Sequence, residues 1–245
     1  MIRITTHRKL LAITLLALEL CCSLTARAAD TAKDDDFFEF DDKAANVTIA
    51  DPFESINRVT FAFNDKMYRY AMKPIARGLR VLPDPVLKSF SNFFNNLKEP
   101  ISAFSALLQG QPVNAASEIG RFVLNSTVGF FGFLDPATEV GLVEDDEDLG
   151  QTLATWGIGN GFYLVVPFYG SSSLRDLTGD FATSALNPVF RNLETGEVVG
   201  ITFTSAEVRI ALDKDSYEGF YANSLDPYIF FRTAWLENRE GKIRN

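Results

Sequence analysis

The chain of 245 residues has one histidine and two cysteines, and all three stand near its start as His7, Cys21 and Cys22. Residues 1–28 read as a secretory signal. Arg3, Arg8 and Lys9 precede the apolar run Leu10 to Leu18, and Ala26-Arg27-Ala28 supplies a small-x-small cleavage site. Cleavage after Ala28 leaves a mature chain with neither His nor Cys. Such a chain cannot build a Ser-His-Asp triad, a Cys-His pair, a zinc site of Cys or His ligands, or a disulfide framework. Positive charge is also scarce. The full chain carries −9; without Arg3, Arg8, Lys9, Arg27 and Glu19 it holds 19 basic against 31 acidic residues, about −12. That is the wrong sign for a nucleic-acid binder. Long apolar runs are missing too, since Glu19 interrupts the only candidate well short of the roughly 20 residues a membrane span needs.

Motifs of catalysis are likewise absent. There is no G-x-S-x-G, no P-loop, no G-x-G-x-x-G and no H-E-x-x-H, and Gly157-Ile158-Gly159-Asn160-Gly161 has the wrong spacing. The acidic run Glu144 to Asp148 lacks the alternation and turn glycine of a calcium loop and reads as a solvated turn. Asp176 and Asp180, four residues apart with Arg175 beside them, read as an ion-pair and capping cluster. These residues predict a non-enzyme without cofactor or metal. Cys21 and Cys22 are the only lipidation candidates. Lipoprotein processing requires a small residue before the modified Cys, whereas Cys21 follows Glu19-Leu20 and Cys22 follows Cys21. The expected first mature residue is therefore Ala29.

What is abundant is phenylalanine, with 22 copies. Residues 29–50 form an acidic leader whose charge density leaves no apolar face to bury. From Asp51 the composition turns apolar, and residues 51–238 fit one helical domain, followed by a short tail at 239–245. Phe53, Ile56, Thr60, Phe63, Met67 and Tyr70 recur at helical spacing up to Lys73-Pro74, with Phe61 and Tyr68 off that stripe. Further helices are predicted over 83–98, 101–110, 112–125, 174–186, 204–212 and 227–237. Only 162–168 resembles a strand or buried extended segment. The fold class is all-α. The connection Val128 to Pro136 alternates glycine with aromatics and, from its residues, reads as a buried link in the core.

Several segments resemble the MlaA/VacJ family of outer-membrane lipoproteins. They are Asp51-Pro52-Phe53-Glu54-Ser55-Ile56-Asn57-Arg58 with Phe61-Ala62-Phe63-Asn64, residues 93–100, Leu108-Gln109-Gly110, and residues 121–127. Gly129 to Asp135, residues 148–153, Trp156-Gly157-Ile158-Gly159, Pro167-Phe168-Tyr169-Gly170, Leu174-Arg175-Asp176 with Gly179-Asp180, and Asp226-Pro227-Tyr228 follow in the same order.

The resemblance implies a ring of amphipathic helices lying in the periplasmic leaflet of the outer membrane around a central channel, beside a porin trimer in some members. Misplaced phospholipids would pass through that channel to a soluble periplasmic carrier without any reaction. An in-plane amphipathic helix buries its apolar side without spanning, which suits this chain. Phe61, Phe63, Met67, Tyr68 and Tyr70 become the membrane-contact helix. Phe130, Phe131, Gly132, Phe133 and Leu134 match the family's flexible region controlling the channel, which reverses the reading of an inert link. Arg175, Asp176 and Asp180 stay a structural cluster or, at most, a channel mouth. Unlike family members with a clear lipobox, this chain would lose one acyl anchor, and the absence of a long C-terminal tail leaves porin contact open. The alternative is a periplasmic structural or interaction protein that does not conduct lipid.

Overall fold

The computed structural model describes residues 49–190 and 193–244. The signal, nearly all of the acidic leader, Cys21 and Cys22 lie outside the described residues. The architecture is predominantly helical with one small hairpin. Helix α1 (Glu54–Met67) passes through a π-helical turn (Tyr68–Met72) into α2 (Lys73–Leu79). Helices α3 (Asp84–Asn96), α4 (Glu99–Leu108), α5 (Pro112–Thr127), the short α6 (Pro136–Glu139) and α7 (Leu149–Thr155) follow. Strands β1 (Tyr163–Val166) and β2 (Gly170–Ser173) precede α8 (Leu174–Leu186), α9 (Thr195–Asp213), α10 (Ser216–Asn223) and α11 (Pro227–Arg244).

Local chemistry explains most boundaries. Prolines 85, 100 and 112 sit in the first turns of α3, α4 and α5, where the missing N–H costs nothing. Gly110, at φ +77°, closes α4: its N–H reaches the Leu107 carbonyl and that of Gln111 reaches Ala106, a Schellman pair. The extended segment around 162–168 finds its partner in Gly170–Ser173, antiparallel with Tyr163 opposite Ser173. Ala50 bridges Phe162 and Ile49 packs against the cluster of Tyr163, Val165 and Tyr228, so these two residues before Asp51 belong with the domain. Helix α9 begins well before Thr204, and α10 has no counterpart among the predicted helices. Helix α11 runs on to Arg244, so the expected tail is helical as far as the described residues go, with Arg239 and Lys242 paired to Asp148 and Asp146.

Two small apolar clusters are present among the described residues. Ala76, Leu87 and Ala211 join α2, α3 and α9, while Tyr163, Val165 and Tyr228 join β1 to α11. Much of the remaining interior is polar. Arg121, Gln151, Glu118, Asn57 and Asn187 rank among the largest fully buried side chains. No helix among the described residues is long and apolar enough to cross a membrane.

Candidate functional site

Helix α1 is held by its polar residues. Asn57 donates to the Tyr163 carbonyl at 3.1 Å and accepts from Val165 N–H at 2.9 Å; one strand step on, Asn64 does the same with Val166 and Phe168 at 3.0 and 2.8 Å. Asn57 thereby satisfies the free edge of β1 together with the Ala50 carbonyl, which takes the Tyr163 N–H at 2.9 Å, and Asn64 holds the turn that follows. Asp51 takes bonds from Asn57, Tyr228 and Arg232, and Arg58 pairs with Asp226 while its guanidinium lies 4.5 Å from the Tyr228 ring centre. The opening motif and the Asp226-Pro227-Tyr228 motif are thus two halves of one clamp.

With that polar face turned inward, the apolar stripe faces out. Ile56 is 65% exposed, Val59 71% and Tyr70 80%. Phe63 is also exposed and meets the outward Phe168 edge-on at 5.3 Å. The five residues predicted to contact membrane therefore separate. Phe63 and Tyr70 lie on the outer face. Phe61 packs on Tyr221, Tyr228 and Phe231, and Tyr68 meets Tyr217 at a tilt, ring centres 4.5 Å apart, while donating to Glu218. Phe61, Met67 and Tyr68 line a cavity of about 280 Å³ together with Val165, Phe168 and Phe231. The π-turn lies at this cavity, which Met72 also lines.

The connection after α5 is neither a buried link nor a free loop. Phe130, Phe131 and Gly132 run consecutively through positive φ, at +55°, +62° and +88°. An aromatic residue held there costs about 1–2 kcal/mol, so the neighbours must impose the conformation. Gly132 N–H donates to Asn125 O at 2.8 Å and Leu134 N–H to Gly129 O at 2.9 Å. A Cβ on Gly132 would fall 2.6 Å from that of Asn96. Phe133 stacks on Phe93 at 4.9 Å and meets Phe90 edge-on. Phe131, 60% exposed, and Leu134 point outward. The expectation of a wholly buried connection fails at these two and at Val128, 67% exposed.

Beneath this connection lies Arg121, 2% exposed. Its guanidinium bonds Glu99, Thr138, the Leu142 carbonyl and Asp135. Neither this cluster nor Glu118 was singled out from sequence, since polar residues on a helix ordinarily signal a solvent face.

Arg175 and Asp176 are buried as a 3.0 Å ion pair, and Asp176 also bonds Ser173 Oγ and Arg239. Asp176 thus ties α8 to β2 and α11. Asp180 does not join it; it accepts from the Tyr169 hydroxyl at 2.6 Å, and burial pushes its pKa up. Gly179 and Gly150 let α8 and α7 touch backbone to backbone, since a Cβ on Gly179 would lie 2.3 Å from Gly150 N. The acidic run is not a solvated turn. Glu147 is buried and bonds Gln109, Asp148 caps α7 through Gln151 N–H and pairs with Arg239, and Asp146 pairs with Lys242. The Asp-x-x-Gln spacing of a helix cap was the available signal.

Comparison with known proteins agrees with this geometry. A family model described as MlaA lipoprotein matches residues 49–242. An uncharacterized protein of Rickettsia bellii is 32% identical over 92% of this chain and 90% of its own. The protein of Escherichia coli K12 called intermembrane phospholipid transport system lipoprotein MlaA is 35% identical over 78% of this chain and 77% of its own. A solved structure described as the structural basis for maintenance of bacterial outer membrane lipid asymmetry superposes with a TM-score of 0.73. It is 34% identical and covers 79% of this chain and 99% of its own. The chain belongs to the MlaA lipoprotein family.

Proposed function

We propose that the protein is a passive phospholipid conduit of the outer membrane, drawing misplaced lipid from the outer leaflet and passing it to a soluble periplasmic carrier. One observation carries this reading: large polar side chains are buried while a row of large apolar ones stands exposed. Arg121, Glu118, Gln151 and Asn57 are inside, while Ile56, Val59, Phe63, Tyr70 and Phe131 are outside. In water such a surface is costly, whereas an acyl environment stabilises it at about 25 cal/mol per Å². No helix among the described residues is long and apolar enough to span; in this reading they would lie in one leaflet, and their ring would enclose the lipid passage. The cavity beside the π-turn is sized for a stretch of acyl chain, with Asn64 as a polar lining group. Residues 130–134 would gate the passage, since their strained turn is pinned at Phe133 and open at Phe131. Residues 1–28 would direct export, and 49–244 would form the membrane-associated domain. A porin trimer is a further partner of this reading.

Movement down a gradient needs no chemistry. In vesicles loaded asymmetrically with labelled phospholipid, the reconstituted protein should equalise the leaflets without a nucleotide. Membrane-bound protein that leaves the asymmetry intact would support the non-conducting structural role instead.

A further inference from the structure

We propose that Glu99 and Glu118 share a single proton, and that this proton latches the connection between α5 and α7 onto α4 and α5. Both carboxyls are buried, at 3% and 1% exposure, and they face each other within hydrogen-bonding reach. Glu99 Oε1 accepts from Arg121 Nε at 3.1 Å, and Glu118 Oε1 accepts from Asp145 N–H at 2.6 Å. Glu99 Oε2 is buried with no donor among the described residues while both acids are ionised. Two charges there would repel across a dry gap and leave that oxygen unpaired. One proton on Glu118, donated to Glu99, removes both penalties.

Arg121 cannot neutralise the second charge. Its remaining donors are committed to Thr138 Oγ1, the Leu142 carbonyl and Asp135. The charged groups beside Glu118 are Glu99 on α4, Arg121 on α5 and Glu144 in the connection, while Asp145 meets it through its N–H and Asp135, at the start of α6, is tied to Arg121. Glu144 is 3.9 Å from Arg121. One guanidinium therefore serves several carboxyls. Burial, with Glu99 alongside, pushes Glu118 up to about 9, so the proton stays bound at neutral pH.

The latch works through what the pair holds. Glu118 fixes the Asp145 amide directly, and Arg121 fixes Asp135, Thr138 and Leu142. Ionising Glu118 sets it against Glu99 for the same guanidinium and loosens all four. The unfolded chain loses this proton near 4.5 and the native chain near 9. The stabilisation is therefore complete below 4.5 and is lost as pH rises through about 9. The inference concerns the fold and holds whether or not the connection gates lipid.

The test is infrared spectroscopy and amide hydrogen exchange on the full chain, corrected for intrinsic rates. Wild type should show a protonated-carboxyl stretch at neutral pH, absent from Glu118→Gln. Protection of the Asp145 amide should fall by up to about tenfold per unit as pH rises from the ordinary carboxyl value toward about 9 and level off above it, while α9 amides hold. Glu118→Gln, which keeps a donor, and Glu99→Gln, which removes the same repulsion, should both flatten that dependence. Absence of the protonated band in wild type, an undiminished dependence in both variants, or equal loss in α9 would each overturn the latch.

Discussion

Asn57 satisfies an otherwise open strand edge from a helix, and its position shows how little of a residue's task is local. Its identity within the opening motif was legible, as were Asp51 and Arg58. Their partners were not, because Asp226 stands 168 positions from Arg58 and Tyr163 stands 106 from Asn57. Replacing Asn57 with Ala leaves a buried carbonyl, a buried amide and Asp51 short of partners, at about 1–3 kcal/mol for each group orphaned in the interior. Denaturant unfolding of Asn57→Ala should show a loss of about 3 kcal/mol; a midpoint equal to that of wild type would contradict the clamp. Gly132 was legible as a residue needing backbone freedom. That it also abuts Asn96 was not. Gly132→Ala combines an unfavourable φ with a 2.6 Å approach to Asn96 Cβ. It should lower the thermal midpoint, and a Gly110→Ala control, where nothing lies within 4 Å, should lower it less.

At the scale of elements, periodicity placed α1 correctly and left its direction open. Hydrophobic spacing reports that polar and apolar residues are segregated; it carries no information on which side meets protein. The polar side, with Asn57 and Asn64, meets β1, so the stripe of Ile56, Phe63 and Tyr70 is left outward. Charging that stripe separates the two readings of the helix. Phe63→Asp with Tyr70→Asp should fold with a helical spectrum like that of wild type yet release the protein from vesicles in a flotation assay. Phe61→Asp, aimed at Tyr228 and Phe231, should instead unfold it. Unchanged flotation of the outward double variant would count against membrane contact by this face. The π-turn was invisible to a search for period 3.6, since it inserts one residue into the helical count. Deleting Ala71 would rotate α2 by about 100° and pull Ala76 out of its contact with Leu87 and Ala211, with loss of cooperative unfolding as the expected readout. Helix α10 has no clear apolar stripe and draws its order from tertiary pairs, chiefly Tyr217 with Asp65 and Glu218 with Lys73.

For the whole molecule, the class of fold could be read because helical periodicity recurs along most of the chain. The interior could not, because a buried Arg121 or Glu118 is indistinguishable in sequence from a solvated one. The phenylalanines of the described residues divide accordingly between small packed clusters and an outer surface. Attachment is a separate question from passage. Mass spectrometry of the mature N-terminus should find Ala29 unmodified, and an acylated Cys21 or Cys22 would instead add a lipid anchor to the embedded helices. The most direct test of lipid passage is the outer-leaflet phospholipid content of cells lacking the gene, measured with and without complementation. Deletion should raise that content, the wild-type chain should restore it, and the Phe63→Asp, Tyr70→Asp variant should not. An outer leaflet unchanged by deletion would contradict the conduit.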